Sequence, residues 1–72
     1  MKIFSERLKF LRKQNNLTQE QVAEQIKMSL KGYRNYEIYN RTPKLENLMV
    51  IADYFDVSID YLVGRSDEAK RR

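Results

Sequence analysis

Leu30, Lys31, Arg34 and Asn35 are the residues whose types and spacing suggest chemistry. At i, i+1, i+4 and i+5 they share one face of a helix, while Tyr33 and Tyr36 mark the opposite, inward edge. Such a face offers a methyl-rich tip, two cations and an amide to solvent. These groups suit a DNA major groove: Asn35 fits adenine N6 and N7, Arg34 or Lys31 fits guanine O6 and N7, and Leu30 fits a thymine methyl. Catalysis is a poor match. The chain has no His and no Cys, no glycine-rich phosphate loop, and no carboxylate pair set apart by apolar surroundings. Asp53, Asp56 and Asp60 fall at helix surfaces or ends, where capping and solvation account for them. Neither an enzyme nor a cofactor is expected.

The face must be held by the stretch Thr18 to Glu37, which reads as two short helices joined by a tight turn. Thr18 with Gln21 forms a T-x-x-Q capping box that opens a helix over about Gln19 to Gln25 or Ile26. Val22 and Ile26 share its inner face, with Ala23 leaving room for a neighbouring helix. Lys27 and Met28 make the turn, and Ser29 caps a helix over Leu30 to Glu37. Gly32, on its outward side, is either a tolerated small residue or a point of close backbone approach.

Around this unit the chain reads as all-α, with five helices and a single domain. A first helix over about Phe4 to Asn16 buries Phe4, Leu8 and Leu11. Most of its charges, among Glu6, Arg7, Lys9, Arg12 and Lys13, read as a solvated face, and Leu17 tucks under the capping box. Thr42 and Pro43 start a fourth helix, with a buried stripe of Leu45, Leu48, Ala52 and Phe55 and an end at Asp56. Ser58 caps a short fifth helix containing Ile59, Leu62 and Val63, closed by Gly64. The expected core is Leu8, Leu11, Val22, Ile26, Tyr36, Leu48, Ala52 and Leu62. The domain spans residues 1–65, and residues 66–72 form a charged tail that should fray.

A chain of 72 residues is near the lower limit for a self-sufficient core. Without Cys or His a disulfide framework is excluded, and a metal site is not expected. No apolar run is long enough to cross a membrane, and the start MKIFSERLKF turns to charge too early for a signal peptide. The expectation is a soluble, cytoplasmic protein with no membrane partner and no evident small-molecule ligand. The net charge of +4 and a pI near 9.5 favour a polyanionic partner.

The string TQEQVAEQIKMSLKGYRNYE, followed by the Pro43 loop, LENLMVIADYFDV and VSIDYLVGR, resembles the helix-turn-helix domain of the phage repressor and Cro family, also called XRE, over roughly Ile3 to Arg65. The resemblance implies a compact five-helix repressor-like domain that binds double-stranded DNA. It places the base-reading positions on Leu30, Lys31, Arg34 and Asn35. It also pairs Arg12 with Glu37 as a structural ion pair, and puts dimerisation near the C-terminus, where Ile59, Tyr61 and Val63 supply apolar area. Phe10 is a second candidate for that surface. Phosphate contacts are expected from Gln19, Ser29, Asn40, Arg41 and Lys44. Two positions depart from the family pattern. Lys27 stands where glycine is usual and should be left-handed at a cost of roughly 1 kcal/mol. Tyr39 replaces a second glycine, so the third helix should end one residue late, with Asn40 in the left-handed conformation.

Sequence-specific DNA binding, by a repressor dimer on a palindromic operator, is the leading expectation. The alternative is an antitoxin-like or protein-interaction module that keeps the fold. The polar, basic face of Lys31, Arg34 and Asn35 counts against it.

Overall fold

The computed structural model describes residues 2–38 and 41–71. Among them are five helices and no strand: α1 (Lys2–Gln14), α2 (Gln19–Gln25), α3 (Leu30–Glu37), α4 (Leu45–Phe55) and α5 (Ile59–Leu62). All eight residues expected in the core are buried. Phe4, Tyr33, Ile51 and Val57 join them, and Phe4 meets Tyr36 edge to face at 5.9 Å between ring centroids.

The helix boundaries follow from local bonding. α1 begins two residues before the expected Phe4 and ends at Gln14. Asn16 is left-handed, with φ 56°, so it closes the helix instead of extending it. Its N–H reaches Lys13 O, and the Leu17 N–H reaches back to Arg12 O at 3.1 Å. This is a Schellman turn, which satisfies two orphan carbonyls. The same turn ends α2, with Lys27 at φ 58° and the Met28 N–H on Ala23 O at 2.8 Å. The left-handed Lys27 is therefore present as expected. The Thr18 capping box is complete in both directions, and Ser29 and Ser58 cap α3 and α5 through their side chains.

Two expectations fail in α4. Pro43 does not open the helix: it is buried ahead of it, and Lys44 takes the N-cap position with no side-chain bond. Seating the proline ring in the domain delays the first helical turn until Leu45. The stripe is then phased on Leu48, Ile51 and Ala52, with Phe55 half-buried. Leu45 stands at the edge of that stripe in an overhanging first turn, and is 66% exposed. The Asn47 amide donates to the Tyr36 hydroxyl at 3.0 Å, tying α4 to α3.

Arg7 also differs from expectation. Arg7, read as part of a solvated face, donates to the Tyr61 and Ser66 carbonyls, meets Asp67 at 3.0 Å, and lies over the Tyr61 ring. Ser58 N–H bonds Ala69 O at 3.0 Å, and Arg71 pairs with Asp53 at 2.6 Å. In the structure residues 65–71 thus lie back along α5 and α4. The reason is non-local: Arg7 collects carbonyls more than fifty residues away in sequence.

Candidate nucleic-acid interface

Below the α3 surface lies a buried charged network. Glu37, at the last position of α3, is 1% exposed. Arg12 of α1 grips it through two nitrogens, at 2.7 and 3.1 Å, and donates its third to Leu17 O at 2.9 Å. The Tyr33 hydroxyl, one helical turn earlier, donates to the same carboxylate at 2.5 Å. The Gln19 amide of α2 adds a bond at 3.1 Å. Burial disfavours ionisation of Glu37, but the hydrogen bonds from Arg12, Tyr33 and Gln19 outweigh it and hold its carboxyl below the ordinary value. Burial, together with donation to Glu37, pushes the Tyr33 phenol well up. The expected pairing of Arg12 with Glu37 is thus present, and it joins α1, α2 and α3 at one point.

Above that network, α3 presents the candidate reading face. Lys31 and Arg34 are exposed, while Asn35 and Leu30 are half-buried, Leu30 packing against the core. Arg34 Nε donates to Gln19 Oε1 at 3.3 Å. Gln19 therefore touches both the reading face and the buried carboxylate. Ser29 Oγ accepts from Gly32 N–H at 3.0 Å, and a Cβ on Gly32 would approach that oxygen to 3.0 Å. The glycine thus makes room for the cap, a reason that sequence reading did not supply.

The flanks carry the remaining candidates. Arg41 and Lys44 are exposed on either side of Pro43. Asn40, expected at a phosphate, and Tyr39, expected to lengthen α3, lie outside the described residues. The connection of Gln19 to Arg34 spans 15 residues, and no periodicity in the sequence signals it.

Residues 8–62 match the helix-turn-helix family. The chain belongs to that family. It is 49% identical over 65 residues to the cryptic phage CTXphi transcriptional repressor RstR of Vibrio cholerae, covering 90% of this chain and 57% of that protein. It is 39% identical over 66 residues to the HTH-type transcriptional regulator YobD of Bacillus subtilis, covering 92% of this chain and 59% of that protein. The HTH-type transcriptional activator BcrR of Enterococcus faecalis is 42% identical over 61 residues, which are 85% of this chain and 30% of that protein. The chain thus spans less than three fifths of the length of these relatives. No solved structure gives a match.

Other surfaces of this helix-turn-helix domain bear on assembly and ligands. Ile59, Tyr61 and Val63 are half-buried against the core, so α5 offers less open apolar area than expected. Phe10 is 55% exposed, and α4 turns Leu45, Met49 and Val50 outward. An open cleft of about 580 Å³ between Ser58–Asp60 and the tail is lined by side chains of both charge signs and shares no residue with the α2–α3 face. Among the described residues no three His, Cys, Asp or Glu gather as metal ligands, and no helix is long and apolar enough to cross a membrane.

Proposed function

We propose that this chain acts as a sequence-specific DNA-binding transcriptional repressor, working in the cytoplasm and reading double-stranded DNA with α3 in the major groove. One observation carries the reading: α3 is fixed from beneath by the Glu37 network, and its opposite side presents Lys31 and Arg34 to solvent beside Asn35. A rigid helix with a cationic outer face can select base edges without first paying to order itself. The name of the relative RstR, a transcriptional repressor, supports the direction of regulation.

Phosphates are the proposed targets of the groups around that face. The α2 N-terminus presents backbone N–H groups, Gln19 keeps one amide proton beyond its bond to Glu37, and Ser29 stands exposed at the start of α3. Arg41 and Lys44 would hold the backbone nearby, and Asn40 is proposed as a further phosphate contact. A helix of this length reads few base pairs, so the operator is proposed to be a palindrome that seats two copies about 34 Å apart. Phe10 is an open apolar residue for the pairing surface.

Selection from random duplex DNA tests this reading. A near-palindromic site should be enriched, and affinity for it should fall with salt at a slope of about −0.9 per neutralised phosphate. Arg34→Ala should relax preference at one base pair by about 1–3 kcal/mol. Arg41→Ala or Lys44→Ala should instead weaken all sequences alike. Failure to enrich any site rejects DNA reading. Saturation of the enriched site by one copy rejects the dimer alone.

A further inference from the structure

We infer that Gln19 is a positioning residue for base reading, its amide oriented by the buried Glu37 carboxylate so that its oxygen holds Arg34. The inference rests on the proposed base-reading role of α3. Its chemistry is a matter of donors and acceptors. An ionised carboxylate only accepts hydrogen bonds, so the side of the Gln19 amide facing Glu37 must be the nitrogen. That bond is 3.1 Å long. With the nitrogen turned inward, the oxygen faces the α3 surface, where it accepts from Arg34 Nε at 3.3 Å.

The bond engages Arg34 at Nε and leaves its two terminal nitrogens out of the contact. Those nitrogens form one of the forks that fit guanine O6 and N7. A long arginine side chain loses considerable rotamer freedom when it docks on a base. Holding it at Nε beforehand removes part of that cost and fixes the direction of the fork. Glu37 is itself fixed by Arg12 and Tyr33. Rigidity therefore passes from the core, through one amide, to an exposed arginine. A Gln19 that only gripped phosphate would use the same amide without affecting which base is preferred.

The test compares binding to the enriched site and to its single-base-pair variants, using wild type, Gln19→Ala, Arg34→Ala and the double variant. Wild type should prefer the base pair read by Arg34 by roughly 5- to 150-fold. Gln19→Ala should reduce that preference several-fold at this base pair alone, and should leave it unaltered in the Arg34→Ala background. An equal loss of affinity for every site, with base preference unchanged, would leave Gln19 a phosphate contact only and overturn the inference, with reading by Arg34 intact. If Arg34→Ala changes no base preference, the reading role falls and the inference with it. A DNA-free measurement supplies a second check. Exchange of the Arg34 Nε proton with water, followed by NMR, should quicken in Gln19→Ala, and an unchanged rate would overturn the positioning role.

Discussion

The links that precede α2, α3 and α5 are built differently from the link that precedes α4. Each of the first three is a left-handed residue, an apolar residue and a hydroxyl cap: Asn16-Leu17-Thr18, Lys27-Met28-Ser29 and Asp56-Val57-Ser58. In each, the N–H of the apolar residue closes on a carbonyl five residues back, at 2.8–3.1 Å. The apolar side chain then packs on the core, and the hydroxyl starts the next helix. One short unit stops a helix, turns the chain and starts another. Among the described residues between α3 and α4 no such unit is present. Pro43 is buried ahead of an N-cap, Lys44, whose side chain makes no capping bond, and Asn47 in the first turn of α4 bonds Tyr36 of α3. Local chemistry therefore sets three turns, while packing sets the start of α4. The flanks of that fourth link, Arg41 and Lys44, are also the proposed phosphate contacts, where a changed loop alters binding without rebuilding the domain.

The sharpest break should come at Glu37, where the packed link departs from α3. Glu37→Ala leaves Arg12 and the Tyr33 hydroxyl without their partner, and should lower stability by about 3–5 kcal/mol in a denaturant melt. The same carboxylate predicts a pH dependence. Its folded-state pKa is lowered, so its contribution is complete above the ordinary value of 4.5 and is lost as pH falls through the lower folded value. Glu37→Gln should remove that part of the acid transition. A melt in which neither substitution acts would show that packing around the link does not depend on the pair.

The phase of α4 offers a second contrast. Ile51 is fully buried and Leu45 mostly exposed, although both are apolar residues of one helix. Ile51→Ala should cost about 2–5 kcal/mol, whereas Leu45→Ala should stay within about 0.5 kcal/mol. Equal costs would mean that the helix buries a different stripe.

The smallest effects compare the caps themselves. Thr18→Ala should cost about 1 kcal/mol by removing a complete capping box. Lys44→Asp supplies the missing cap with a charge suited to a helix N-terminus, and should add about 0.5–1 kcal/mol. The same substitution should weaken DNA binding, separating stability from the proposed phosphate role. If Thr18→Ala and Lys44→Asp both leave the melt unchanged, the distinction between capped and packed links has no energetic content.

Much of this protein was legible in the residues alone because much of it is decided within one helical turn. The helix count, the caps at Thr18, Ser29 and Ser58 and the inward Tyr36 rest on neighbours three to five residues apart. The periodic stripes of α1 and α2 belong to the same class. The pairing of Arg12 with Glu37 came from family resemblance, since 25 residues separate the partners. Only the tertiary structure decided the rest: Pro43 buried ahead of α4, Leu45 left outside, Arg7 holding residues 61–67, and Gln19 between Glu37 and Arg34. These depend on which helices meet and at what angle. A one-dimensional pattern of apolar residues records that each helix has an inner face, but not which polar side chains the neighbouring helices bring together.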